Sequence, residues 1–267
     1  MAKLLYMVQP TYFDVKYVIN PWMQDNINAV DKVLAMQQWN NLVATLNVVG
    51  AITVVLPPPP SNCPDAVFVA NAGLIVEQEF FPSLFKYKDR AAEEPYFAEY
   101  FQFLNFELIH LDNGVAFEGA GDALFSADGT FLFLGNGLRT DKLAYNNISA
   151  EVKQVIQLDL IDPNFYHLDT CFCPLDTGYL LWNPRAFSKE SVDKICEIYT
   201  PNKRICVGYE DANSFGCNAI SVGKSIILPL VSQELQDILI DKGHYVYCVD
   251  MSEFLKAGGG PKCCTLS

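Results

Sequence analysis

Apolar positions fall along this chain in short strand-like runs separated by longer stretches at helical spacing. Leu4 to Val8 is the first run. From Asn26 to Val49, the residues Ile27, Val30, Val33, Leu34, Leu42, Val43 and Leu46 recur with the period that places side chains on one face of a helix, and Ala51 to Leu56 reads as a β-branched strand. Gly50 stands where a helix C-cap belongs. Pro57 to Pro60 has no amide donors to give to a sheet, so it reads as a stiff connector.

From there one unit recurs: strand, tight turn, strand, helix, strand. The second unit pairs Ala66 to Ala70 with Leu74 to Val76 through a turn at Asn71 to Gly73, followed by a helix near 91 to 104 and a strand from Glu107 to Leu111. The third pairs Ala123 to Phe125 with Phe131 to Leu134, then a helix near 140 to 152 and a strand from Gln154 to Leu158. The fourth runs Thr170 to Cys173, turns, continues as Tyr179 to Trp182, and adds a Ser188-capped helix and the strand Arg204 to Val207. The fifth has Ala219 to Val222, Ser225 to Leu228, a helix near 232 to 242 and the strand Tyr245 to Val249. Hairpin turns recur roughly every 45 to 55 residues, a period expected of blades or repeats. The expected fold is α/β: a five-bladed propeller of repeated ββαβ units with pseudo-fivefold symmetry, in one domain over residues 1–267.

Composition narrows the function classes. With 267 residues and 51% apolar content, the chain can bury a proper core. Its 31 acidic residues outnumber 18 basic ones, which argues against nucleic acid and anionic membrane surfaces and suits a cationic substrate. No apolar run is long enough to span a bilayer and no signal peptide is evident, so the expected location is the cytoplasm. Nine scattered cysteines, an odd number, argue against a disulfide scaffold. Cys171-Phe172-Cys173 and Cys263-Cys264 have no second pair at zinc-finger spacing, and with three histidines in the chain no metal site is expected.

If the units surround an axis, polar residues at the inner ends of the first strands converge: Asn71, Glu118 with Asp122, His167 with Asp169, and Cys263. A thiol, an imidazole and carboxyl or amide groups in one pocket suit nucleophilic attack on a planar, cationic carbon. Cys263 follows Gly258-Gly259-Gly260-Pro261-Lys262, where small neighbours are expected to leave it accessible. His167 can relay protons to a leaving amine and from water, and carboxylates can hold the N–H groups of a guanidinium in a fixed plane. Arg90 and Arg139 each stand just before a helix.

These pieces resemble the guanidino-group modifying family, the penteins, which includes arginine deiminases, dimethylarginine hydrolases and amidinotransferases. The matching strings are Pro64-Asp65-Ala66-Val67-Phe68-Val69, Phe117-Glu118-Gly119-Ala120-Gly121-Asp122, Gly135-Asn136-Gly137-Leu138-Arg139-Thr140, His167-Leu168-Asp169-Thr170 and Gly259-Gly260-Pro261-Lys262-Cys263, in the family's order. The resemblance implies Cys263 as nucleophile in preference to Cys264, His167 and Glu118 as the proton-transfer pair, Asp169 as a guanidinium ligand, and Arg90 and Arg139 as ligands of a substrate carboxylate. Asp122 is expected to fix its loop. Where a deiminase has an aspartate, this chain has Asn71, which is expected to grip a guanidinium less firmly and to tolerate a neutral ureido group. In this, and in the opening string Pro10 to Met23, the chain resembles the arginine dihydrolases, which convert arginine to ornithine, carbon dioxide and two ammonia molecules.

The expected activity is therefore that of a cysteine-dependent arginine dihydrolase acting on L-arginine without cofactor. The alternatives are an arginine deiminase that stops at citrulline, another guanidino hydrolase or an amidinotransferase, and, from a different class, a binding protein like the ribosome anti-association factor whose fold is similar. The sequence leaves open the oligomeric state, a homo-oligomer included, and whether Pro21 to Asp25 folds over the site.

Overall fold

Leu4–Val8 forms the first strand, β1, and runs parallel to β2 (Ile52–Leu56) in a register that pairs Leu4 with Ile52 and Val8 with Leu56. A parallel pair needs a crossover, which helix α1 (Lys32–Val48) supplies. Asp31 caps that helix, its carboxylate accepting from the amides of Val33 and Leu34, so the helix begins there and not at Asn26. Gly50, just past its end, has φ +89°, the left-handed geometry expected of a helix stop. The computed structural model describes residues 2–267.

Four further units share one plan, an antiparallel pair whose second strand takes a parallel third strand after a helix. They comprise β3 (Gly73–Val76), β4 (Glu79–Pro82), α2 (Glu93–Phe103) and β5 (Glu107–Leu108); then β6 (Ala123–Phe125), β7 (Leu132–Asn136), α3 (Ala144–Glu151) and β8 (Val155–Asp159). Next come β9 (Phe172–Pro174), β10 (Leu180–Trp182), α4 (Lys189–Ile198) and β11 (Arg204–Cys206). The last has a short lead-in helix α5 (Tyr209–Asn213), β12 (Ile220–Val222), β13 (Ser225–Pro229), α6 (Gln233–Asp241) and β14 (Tyr245–Val249), before helix α7 (Ser252–Leu255). The expected Ser188 cap is present, its hydroxyl accepting from the Ser191 amide.

The first sheet receives its antiparallel neighbour from the far end of the sequence. Tyr6 and Leu266 exchange both backbone hydrogen bonds, at 2.8 and 3.0 Å. The result is a mixed α/β fold of small sheets, with apolar clusters filling the space between sheets and helices; Phe80 of β4, for instance, stacks on Phe101 of α2 at 4.1 Å. Among the described residues no helix is long and apolar enough to cross a membrane.

One expectation fails in an informative way. Ala66 to Ala70 is not a strand: Pro64–Val67 and Val69–Ala72 are two single 3-10 turns, β3 begins at Gly73, and its hairpin turns at Glu77 and Gln78. All of residues 64 to 72 are buried, and a largely apolar run surrounded on all sides follows its packing and not its strand propensity. Similar tight turns precede the other antiparallel strands. The amide of Asn71 donates to the Phe68 carbonyl at 3.1 Å, Thr170 to His167 at 3.2 Å, Asn218 to Phe215 at 2.8 Å and Cys264 to Pro261 at 3.2 Å, and the turn Gly119–Gly121 stands before β6. Val69–Ala72 packs on both Gly119–Gly121 and Lys262–Cys264, and Gly119–Gly121 packs on Leu168–Thr170.

Candidate active site

Those tight turns bring the polar residues together. Asn71, Arg90, Arg139, His167 and Cys263 line one narrow cavity, and Glu118 and Asp169 stand directly behind His167 and Cys263. The free space between the lining residues is about 10 Å³, room for about one water. The turn Pro21–Met23 stands at the cavity: Asn20 and Met23 line it, Asn20 Nδ2 donates to the Ala257 carbonyl at 3.0 Å, and Trp22 Nε1 donates to the Asn164 carbonyl at 3.0 Å.

Cys263 is 3% exposed, so the glycines before it do not leave it open to solvent. They serve close packing. Gly258 has φ +77°, a Cβ on Gly259 would overlap the Phe68 ring, and one on Gly260 would sit 2.7 Å from Asn218 Oδ1. Cys263 Sγ lies 3.5 and 3.8 Å from the two oxygens of Asp169, and Asn218 Nδ2 donates to it at 3.2 Å. Burial, reinforced by Asp169, pushes the thiol well above its ordinary range, so it is neutral at rest. Burial likewise pushes Asp169 up to about 6, with Lys262 opposing. Cys264, fully buried, belongs to the apolar core and does not line the cavity.

Glu118 organises the opposite wall. Its Oε2 is 2.7 Å from His167 Nε2 and accepts from Arg139 Nη1 at 2.8 Å. Burial opposes its ionisation, but Arg139 and His167 outweigh that and hold the carboxyl well below the usual range. An ionised Glu118 fixes the Nε2–H tautomer of His167 and leaves Nδ1 to exchange a proton. Arg139 Nη2 donates to the Ile19 carbonyl at 2.9 Å, and its guanidinium lies over the rings of Tyr166 and Tyr87, 4.6 and 4.9 Å from their centroids. Asp122 fixes its loop as expected, accepting from Thr140 Oγ1 at 2.7 Å and the Leu168 amide at 2.9 Å; burial pushes it up to about 6.

Arg90 is buried and more fully engaged than a free carboxylate ligand. Nε and Nη2 form a two-point pair with Glu93 at 2.9 and 2.7 Å, Nη2 also reaches the Asp65 carbonyl, and Nη1 donates to Asn71 Oδ1 at 2.8 Å. This fixes the Asn71 carboxamide: Oδ1 faces Arg90, and Nδ2 is left with a single long contact, 3.4 Å to the Glu118 carbonyl. Among the described residues no three His, Cys, Asp or Glu side chains are grouped as a metal would require.

Asn218 and Asp65 are additional to the residues expected from the sequence. Asp65 lines the cavity, accepts from Tyr17 at 2.9 Å through Oδ2, and has no partner for its buried Oδ1. Asn218 stands two residues before β12, as Asn71 stands two residues before β3, so aligning the units on their first strands would have exposed it.

The family model for eukaryotic N,N dimethylarginine dimethylhydrolase matches residues 10–267. A bifunctional arginine dihydrolase/ornithine cyclodeaminase, ArgZ of Synechocystis, is 43% identical over 97% of this chain, which spans 37% of that relative's length. The N(G),N(G)-dimethylarginine dimethylaminohydrolase of Mycobacterium tuberculosis is 36% identical, with 97% of this chain and 84% of that one covered. The crystal structure of the N-terminal domain of cyanobacterial ArgZ bound to product superposes with a TM-score of 0.97, at 43% identity, over 100% of this chain and 97% of that one. Sequence and fold thus agree over nearly the whole length, and the chain belongs to the N,N dimethylarginine dimethylhydrolase family within the guanidino-modifying superfamily.

Proposed function

We propose that this chain is a cysteine-dependent arginine dihydrolase that converts L-arginine to ornithine, carbon dioxide and two ammonia molecules. The observation that carries this reading is the orientation of Asn71. Because Arg90 occupies Oδ1, the group Asn71 has left for a ligand is Nδ2, an N–H donor held only by the long contact to the Glu118 carbonyl, and a donor suits the oxygen of a ureido group better than the N–H face of a guanidinium. The likeness to ArgZ, itself an arginine dihydrolase, supports the same reading.

In the proposed mechanism Asp169 aligns the guanidinium beside Cys263. The arriving cation favours loss of the thiol proton, the thiolate attacks the central carbon, and that proton reaches the departing ammonia through His167, held by Glu118. Water then attacks the thiouronium adduct, regenerating the thiol and leaving citrulline. Held by Asn71, citrulline undergoes a second attack that expels ammonia and leaves a thiocarbamate. Its hydrolysis frees the thiol and a carbamic acid, which breaks down to ornithine and carbon dioxide. Arg139 and the one uncommitted Nη1 hydrogen of Arg90 are proposed to take the substrate carboxylate, and the unpartnered Oδ1 of Asp65 its α-ammonium.

The sheets are proposed to be the five blades of one α/β propeller forming a single domain over residues 1–267. Turn-to-turn packing near the site and the Tyr6–Leu266 closure support that arrangement. Nine unpaired cysteines support a reducing compartment such as the cytoplasm.

A timed incubation with L-arginine, quantifying ammonia, citrulline and ornithine beside a Cys263→Ser blank, tests the proposal. Two ammonia per ornithine with little free citrulline is expected. One ammonia per citrulline would make the chain a deiminase, and turnover of dimethylarginine in place of arginine would move it to the dimethylarginine hydrolases.

A further inference from the structure

We infer that Asn218 is a positioning residue for the nucleophile: its carboxamide ties the Cys263 turn to the Asp169 turn and supplies the hydrogen-bond donor that steadies the sulfur once it is charged. The inference rests on Cys263 being the nucleophile, as proposed above.

One fully buried side chain makes all the connections. Asn218 Oδ1 accepts from the Cys263 amide at 3.2 Å, while Nδ2 donates to the Asp169 carbonyl at 3.0 Å and to Cys263 Sγ at 3.2 Å. The orientation of the amide is fixed by its partners, because the reverse would set its oxygen against a carbonyl and its N–H₂ against an N–H. Its backbone carbonyl also accepts from the Lys262 amide, at 3.4 Å. Gly260 is packed so closely on Oδ1 that a larger residue there would displace the amide. A shift of Asn218 therefore moves the thiol relative to both Asp169 and the adjoining His167.

The electrostatic setting explains why a donor is needed. The titratable groups nearest the sulfur are the Asp169 carboxylate, the Cys264 thiol, the Tyr166 hydroxyl and the Lys262 ammonium, and His167, Asp65, Arg90 and Arg139 line the cavity it faces. Asp169 is nearest and opposes a thiolate. The Nδ2–H of Asn218 keeps its direction through thiol, thiolate and leaving thiolate, so it favours the charged sulfur with no reorganisation at the moment of reaction. Asn218 does not line the substrate cavity and reaches Asp169 only through its backbone carbonyl, so its loss should bear more on kcat than on substrate affinity.

The test is the pH dependence of Cys263 alkylation by iodoacetamide in the substrate-free protein, followed by tandem mass spectrometry so that Cys263 and Cys264 are read separately. In Asn218→Ala the alkylation midpoint is expected to rise by about one pH unit, and kcat for arginine to fall by tenfold or more with KM little changed. Asn218→Asp keeps the acceptor for the Cys263 amide but has no donor, and should shift the midpoint further upward. In the native protein, the Asn218 carboxamide proton resonances should follow the titration of Cys263, a readout that requires no variant to fold. A native midpoint in a folded variant, or carboxamide resonances indifferent to that titration, would overturn the inference. Undiminished arginine turnover by Cys263→Ser would instead remove the nucleophile assignment itself.

Discussion

At position 71 the side chain meets Arg90 on one side and the cavity on the other. An aspartate there could offer only oxygen, whereas Asn71 gives its oxygen to Arg90 and keeps an N–H donor whose one partner is a long contact to the Glu118 carbonyl. Asn71→Asp is accordingly expected to weaken retention of citrulline, since a carboxylate oxygen would face a ureido oxygen. Losing the donor and gaining that repulsion should raise the ratio of free citrulline to ornithine by about tenfold or more. Product ratios followed over time decide this, and an unchanged ratio would remove Asn71 from the centre of the mechanism. Asn71, Glu118, His167, Asp169 and Cys263 were expected to converge because they sit at corresponding ends of the repeated units, and they do stand together around one cavity. Asp65 and Asn218 were not legible in the sequence. A lone Asn or Asp carries no chemistry by itself, and what makes these two informative is an unpartnered oxygen and a three-way bridge, which exist only after folding.

The strands outside the second unit fall close to where alternation and turn residues put them, and Tyr245–Val249 matches to the residue. Residues 64 to 72 do not, because a largely apolar, fully buried run near the site satisfies its surroundings by turning twice. Those turns set Phe68 against Gly259, so the element carrying Asn71 and the element carrying Cys263 are packed ring to backbone. Gly259→Ala is expected to cost about 2 to 3 kcal/mol, because Phe68 is itself locked edge-on against Phe13 and Phe254 and cannot give way freely. Urea denaturation measures that loss. Gly208→Ala, where an added methyl meets nothing, should cost less than about 1 kcal/mol.

For the whole molecule, charge and burial act in the same direction on stability. Asp122 and Asp169 have folded-state values of about 6 against 3.8 for the free side chain, so the folded protein takes up their protons more readily than the unfolded chain. Their contribution is fullest at acid pH and is lost as pH rises through about 6. The net charge of −13 also relaxes as the pH falls. Glu118 has the opposite sense, but its ion pairs fail only well below the usual carboxylate range. Between about pH 7.5 and about pH 5.5 the two aspartates should together restore on the order of 1 to 2 kcal/mol, raising Tm by a few degrees. Calorimetry across that interval checks it, and a Tm that falls would contradict the buried state of both groups.

The Tyr6–Leu266 pairing bears on the order of folding as well as on the final arrangement. Contacts between residues separated by nearly the whole sequence form late, since the chain must first give up the freedom of everything between them. Cys263 lies three residues before Leu266, so the thiol is expected to reach the cavity in that closing step. A partly folded chain is therefore expected to hold Glu118 against His167 before the proposed nucleophile is in place.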